Sequence, residues 1–397
     1  MDLLSGGIDP QSMFISATEQ SQQMEQLANT ALSQGMDLYQ DGKYTEAAEA
    51  FRRSVALSPT SQYAQTSADY MASSYIKLGR IDKAAEAYKT SMQLDPTSDA
   101  PVLKLANLYF AEGRHQDALM QYEKAVRLNP SAANYYSLGQ THLAMGDYSQ
   151  AESAFSRVQR MEPEATNGYF GLGQTYNKME RYDDAVLQFK MALEKDEEFY
   201  TAYAELGYNY ADMGLMDKAQ EMVDFLEEND ADLADTLSRY MYKVDPPQIM
   251  FASANCSFLK TLPMRTPLTA LDSYLVNANA VQTFTMEFQF SKKMDRESVE
   301  NIYNWSITRA NGDNLTEKYN FGFSIPDTEV TPKAYPDFVY YDDRNLTAKI
   351  TFSIQQNETA DGTIDPAHIV FKFNGEDVYG NKMNPDFDEY TGFSGVA

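Results

Sequence analysis

One spacing constrains this chain more than any other feature. Alanines recur at Ala47, Ala84, Ala118, Ala151, Ala185 and Ala219, in steps of 37, 34, 33, 34 and 34 residues. Four residues after each stands a bulky apolar side chain: Phe51, Tyr88, Tyr122, Phe155, Phe189 and Val223. Twelve residues before each stands a small one: Gly35, Ala72, Ala106, Gly139, Gly173 and Gly207. Three residues after the small one comes Leu38, Tyr75, Tyr109, His142, Tyr176 or Tyr210. Glycines follow at Gly42, Gly79, Gly113, Gly146 and Gly214, with Glu180 in their place in the fifth unit, and Pro59, Pro96, Pro130 and Pro163 close the first four. A fixed period of this kind demands a repeated supersecondary unit. Each unit reads as helix–turn–helix. The small residue lets the second helix come close, the alanine and the bulky residue face back at i,i+4, and proline ends the second helix. No unit closes a core by itself, so neighbours must stack into a solenoid.

These columns resemble the tetratricopeptide repeat (TPR) over about residues 28–233, in six units, which implies a right-handed α-solenoid. The first unit is three residues longer than the usual 34, which predicts a longer turn around Thr60–Thr66. Units five and six lack the closing proline, which predicts less well defined helix ends there. Leu233, Leu237, Tyr240 and Met241 lie at helical spacing and predict a capping helix over Ala231–Tyr242, so the solenoid with its cap is placed at 28–243. Residues 1–27 read either as a helical extension of the first unit or as a tail, because Gln11–Thr30 is rich in Ser, Gln, Thr, Ala and Met.

At Lys243-Val244-Asp245-Pro246-Pro247 the helical period stops, and residues 244–397 read as an all-β domain. Phe284, Met286, Phe288 and Phe290 alternate with polar residues. So do Leu346, Ala348, Ile350, Phe352 and Ile354, and then Ile369, Phe371 and Phe373. Alternation of this kind marks half-buried strands. Further strands are predicted near 248–253, 304–309, 319–324 and 337–341, with a short helix over Asp295–Asn301 capped by Asp295. About seven such strands form a β-sandwich. The run Phe290-Ser291-Lys292-Lys293-Met294-Asp295, the later Tyr303-Asn304-Trp305, and the closing Asp377-Val378-Tyr379-Gly380-Asn381-Lys382-Met383 resemble bacterial Ig-like domains of S-layer and other envelope proteins. Asn255–Ala280 and Asn311–Tyr335 are longer than such domains usually need.

Charge and composition narrow the function. Acids outnumber bases 58 to 32, a formal net charge of −26, which argues against nucleic acid and anionic membrane surfaces as partners. Residues 194–235 carry 14 acids against Lys195 and Lys218 alone. No apolar run is long enough to insert into a membrane. The first residues lack a basic and then apolar leader, so the location expected is cytoplasmic, with export to the cell surface without a conventional leader as the alternative. Catalytic groups are sparse: His115 and His142 fall on repeat columns, His368 adjoins a strand, and the one cysteine, Cys256, reads as a buried thiol. No cofactor is expected. Calcium on the β-domain, held by carboxylates such as Asp342, Asp343, Asp386, Asp388 and Glu389, is a minor alternative. The chain does not read as an enzyme.

The TPR resemblance implies a concave groove lined by the first helix of each unit. Its groove columns fall on Met36 and Tyr39, then Ile76 and Lys77, then Leu103, Asn107 and Phe110. Tyr136, Gln140 and Leu143 follow in unit four, then Phe170, Gln174, Asn177 and Lys178 in unit five, and Tyr208 and Asp212 in unit six. Leu103 stands where TPRs that clamp chaperone tails carry lysine, so that basic clamp is not met. Aromatic and amide groups instead suit an amphipathic helix or extended peptide of a partner protein, with a basic segment drawn to the acidic sixth unit. The reading is a bacterial interaction scaffold, with the Ig-like module as second contact or spacer. The alternatives are a structural protein of the cell surface or an appendage, and carbohydrate binding by the β-domain, which needs exposed aromatic platforms. The oligomeric state is left open.

Overall fold

In a computed structural model, residues 10–254 and 256–391 are described. Residues 1–9 of the expected extension lie outside them. Two compact units appear. The first comprises residues up to Met213 with Glu221–Ala234, the second Gly214–Gln220 with the residues from Asp235 on.

Among the described residues, thirteen helices of at least 12 residues follow one another: α1 (Pro10–Gln40), α2 (Tyr44–Leu57), α3 (Ala64–Lys77), α4 (Ile81–Leu94), α5 (Ala100–Ala111), α6 (His115–Leu128), α7 (Ala132–Met145), α8 (Tyr148–Met161), α9 (Thr166–Lys178), α10 (Tyr182–Lys195), α11 (Tyr200–Asp212), α12 (Met216–Asn229) and α13 (Ala231–Val244). All six column alanines are 0% exposed, and their bulky partners from Phe51 to Val223 are buried with them. The small column is needed for a steric reason. A Cβ added to Gly35, Gly139 or Gly173 would lie 2.6, 2.8 or 2.5 Å from the ring of Phe51, Phe155 or Phe189. Each ring therefore fills the space that a missing side chain leaves.

The turns inside the units repeat one hydrogen-bond motif. The amides of Lys43, Arg80, Arg114, Asp147 and Arg181 donate to the carbonyls of Leu38, Tyr75, Tyr109, His142 and Tyr176. This closes the first helix in a left-handed cap of the Schellman type. Glycine supplies the left-handed residue in four of these turns, whereas Glu180 adopts it at φ 58°. The lengthened first connection runs from Ser58 to Tyr63, and α3 has already begun at Ala64. The missing fifth proline leaves no ragged end. Helix α10 stops at Lys195, where the Asp196 amide bonds back to Ala192 and its carboxylate accepts from the Glu198 amide at 3.0 Å. An Asx turn does there what proline does elsewhere. Asp230 closes α12 in a related way and accepts from the Leu233 amide at the start of α13.

The second unit carries nine short strands among the described residues: β1 (Ile249–Ala252), β2 (Thr266–Pro267), β3 (Val281–Phe290), β4 (Trp305–Arg309), β5 (Phe338–Asp342), β6 (Thr347–Gln355), β7 (Thr363–Ile364), β8 (Ile369–Phe373) and β9 (Glu389–Tyr390). They form antiparallel sheets ordered β1-β3-β6-β5 and β4-β8-β9, with β2 paired to β7. The predicted inward residues of β3, β6 and β8 make a shared core with Trp305, whose indole lies 5.8 Å from Phe288 and 4.5 Å from Phe373. The faces of the two larger sheets thus pack on each other. Asp295 caps the short helix Arg296–Glu300 by accepting from the Ser298 amide at 2.7 Å. The strand expected at 319–324 does not form. Asn320 and Phe321 hold φ of 50° and 52°, left-handed geometry that no ladder accepts. Leu346 also stays outside β6, at φ 56°. The two long insertions pack on the β core through Phe258, Leu268, Leu275 and Tyr319.

One buried ion pair ties this unit to the end of α13. Lys292, 2% exposed, pairs with Asp377 at 2.8 Å and also donates to the carbonyls of Tyr242 and Asp245. The rings of Tyr242 and Tyr379 lie 5.0 and 5.4 Å from its Nζ. A cation suits the unpaired carbonyls of a helix end. Burial by itself would raise the Asp377 carboxyl, but Lys292, Asn381 and two backbone amides hold it below the ordinary range.

Two stability outcomes follow. Glu180→Gly should stabilise the solenoid by about 1 kcal/mol by relieving the left-handed cost, seen as a higher midpoint in a thermal melt followed by far-ultraviolet circular dichroism. A lowered midpoint would contradict the strain. Lys292→Met leaves Asp377 buried without its cation and should cost about 3–5 kcal/mol. The sole tryptophan, Trp305, sits in the β core and reports this unit, so its fluorescence in urea gives the answer. An unmoved midpoint would deny the pair that role.

Candidate partner-binding groove

Short connections between units, from three to six residues, bring α3, α5, α7, α9 and α11 into succession, and these helices carry most of the predicted groove residues. Met36 and Ile76 are exposed at 36% and 38%, and Lys77 and Asp212 are exposed at the ends of α3 and α11. Tyr39 is half-buried, edge-on to Tyr44 and Tyr70. Leu103 and Phe110 pack against the core of the first three units. Asn107 is exposed and accepts from the Tyr122 hydroxyl, a phenol that burial pushes up to about 12. Tyr136 is half-buried with its ring 5.5 Å from Phe155, and Tyr208 is half-buried on α11.

Phe170 sits deeper. It is 8% exposed and packs between Phe189 and Phe199 at 5.9 and 4.8 Å, in the core rather than on a groove surface. Helix α9 itself carries Gly168, Gly171 and Gly173. A Cβ at Gly168 would stand 2.6 Å from the backbone of Gln159. The helix therefore lies close against α8, while on its other side Phe189 and Phe199 cover Phe170.

Five predicted residues come together around one open depression of about 630 Å³. Phe110, Leu143, Ala144 and Met145 give it apolar wall, and Gln140, Gln174 and Lys178 give it polar wall. An amide ladder crosses it. Gln140 Nε2 donates to the Tyr136 hydroxyl at 3.1 Å and, more weakly, to Gln174 Oε1 at 3.5 Å. Gln174 Nε2 donates in turn to Glu205 Oε1 at 3.0 Å. Beside it a second ladder runs from Asn177 Nδ2 to Asn209 Oδ1 at 2.9 Å, and from Asn209 Nδ2 to the Tyr182 carbonyl at 2.9 Å. Glu205 and Asn209 lie off the family's groove columns, so sequence reasoning passed over both. The available signal was Glu205 itself, the one charged residue in the run Thr201–Ala211.

Elsewhere the reactive groups have structural partners. His368 Nδ1 lies 2.7 Å from Asp365, both fully buried, and Cys256 is a half-buried free thiol raised by burial, donating to the Ser253 carbonyl. Burial also drives the Lys260 amine down to about 7, where it donates to the Ile369 carbonyl beneath the Tyr390 ring. Asp342 accepts from the Arg344 amide and Asn345, Asp343 pairs with Lys293 and Arg296, and Asp388 pairs with Lys372. Among the described residues, no group of three His, Cys, Asp or Glu side chains is placed to hold a metal ion, and no helix is long and apolar enough to cross a membrane. On β5, Phe338 and Tyr340 are 60% and 53% exposed on the outward face.

Comparison with known proteins bears on the helical region. Residues 71–98 and 136–198 match models of the tetratricopeptide repeat, and residues 106–146 match a further TPR repeat model. No curated protein matches the chain. Among solved structures, a tetratricopeptide repeat protein from Parabacteroides merdae is 16% identical, covering 54% of this chain and 86% of its own, with a TM-score of 0.47. MamA is 26% identical over 44% of this chain and 97% of its own, at 0.36. YrrB, described as a TPR protein with an unusual peptide-binding site, is 22% identical over 48% and 99%, at 0.38. The helical region of this chain is a solenoid of tetratricopeptide repeats, a fold whose proteins are in general protein-interaction scaffolds.

Proposed function

We propose that this chain is a non-enzymatic adaptor that holds a peptide or helix of a partner protein along the first helices of repeats three to six. The observation that carries the reading is the depression where Phe110 and Leu143 meet Gln140, Gln174 and Lys178. Apolar wall supplies anchor area, and side-chain amides supply hydrogen bonds to a peptide backbone. The β-domain, read as Ig-like from its opening and closing motifs, serves as second contact or spacer. Those two motifs meet in space, since Lys292 of one pairs with Asp377 of the other. The acid-rich stretch 194–235 favours a partner with a basic segment. Replacing Gln140 and Gln174 together by Ala removes groove polarity without opening the core. Pull-down with the double variant should lose the partner that the native chain recovers, at unchanged helicity. Equal recovery would remove the groove from the reading.

The exposed pair Phe338 and Tyr340 favours a second reading, carbohydrate binding by the β-domain, because stacking on sugars needs uncovered rings. Retention on a glycan array that disappears in Phe338→Ala with Tyr340→Ala would support it. No retention by the native chain would sink it.

A further inference from the structure

The two ladders have a direction, and their last members set it. Glu205 is a carboxylate that can accept but not donate, so Gln174 must turn its NH₂ towards it. That leaves Gln174 Oε1 facing α7, where Gln140 must donate. The second ladder ends on the Tyr182 backbone carbonyl, again an obligate acceptor, which orients Asn209 and then Asn177 in the same sense. The first chain of donors therefore runs to the sixth repeat, and the second crosses into it at Asn209 before returning to Tyr182 in the fifth. What is left over is equally determined. Among the described residues, no donor reaches Gln140 Oε1 or Asn177 Oδ1, and Glu205 keeps its second oxygen. The fourth, fifth and sixth repeats thus present acceptors. In the third repeat the order is inverted: Asn107 spends its oxygen on the Tyr122 hydroxyl and keeps its NH₂.

Resting on the groove reading above, we propose that Glu205 is a specificity-determining residue. It polarises the ladder so that the groove takes an extended basic segment of a partner protein, with a Lys or Arg of that segment at the α11 end. Charge complementarity carries the choice of occupant. Glu205 and Asp212 lie on α11, within a stretch of 14 acids against two bases. A cation beside Glu205 and peptide N–H groups along the free oxygens of Gln140 and Asn177 satisfy every acceptor that the ladders leave open.

The test uses the full chain and a displayed library of random twelve-residue peptides. The native chain should enrich peptides containing Lys or Arg next to an apolar residue. A synthetic peptide of the enriched sequence should bind Glu205→Gln about tenfold more weakly. Glu205→Lys offers a donor where the carboxylate stood, so both glutamines reverse, and selection should move to peptides containing Asp or Glu. Circular dichroism of both variants checks the fold, and the near-isosteric Gln keeps the test open if Lys misfolds. Enrichment without basic residues, lost in the Gln140→Ala, Gln174→Ala variant, would overturn this inference and leave the groove reading standing. A basic preference that survives both Glu205 substitutions would also overturn it. No enrichment at all would overturn both.

Discussion

Everything in the helical region depends on an absence. Where the first helix of a unit lacks a side chain, at Gly35, Gly139 or Gly173, an aromatic ring from the second helix occupies the space. Adding one carbon there would bring it within 3 Å of that ring. Alanine holds the same column in units two and three, at Ala72 and Ala106, so every unit presents nearly the same shape to the next. That regularity places successive first helices where amides on α7, α9 and α11 can reach one another.

The repeat was legible in the sequence because packing wrote it as a period. The alanine and ring columns are buried in all six units. Strands β3, β6 and β8 were legible for the same reason, since alternation is what a half-covered strand requires. The failures have physical causes as well. Tyr319–Phe323 has strand-like composition, yet the consecutive left-handed residues Asn320 and Phe321 fold it into tight turns. Helix α10 ends without its proline because Asp196 substitutes a side-chain acceptor. In the groove, family columns gathered Phe110, Gln140, Leu143, Gln174 and Lys178 around one depression. They did not foresee that Phe189 and Phe199 would cover Phe170 and place it in the core. Nor did they single out Glu205, whose importance lies in a hydrogen bond across a repeat boundary, which no column records.

The second unit is organised differently, by one charge rather than by a period. Lys292 is surrounded by two carbonyls, a carboxylate and two rings, so its desolvation is met from several sides. The groups that meet it come from the end of α13 and from a segment more than 80 residues further along the chain. That convergence links the start of the β-domain to its last part, and a pairing over such a separation forms late relative to local helices.

The ladders have a consequence for how such a chain changes over time. Each hydrogen-bond chain draws on residues from three helices; the first crosses two boundaries between units and the second crosses one. Moving one unit into another scaffold would carry its shape but strand its amides without a terminus to orient them. Recognition is therefore inherited by runs of adjacent units, not by single ones. Insertion or loss of a unit between α7 and α11 would rewrite the binding chemistry even where the fold accepted it.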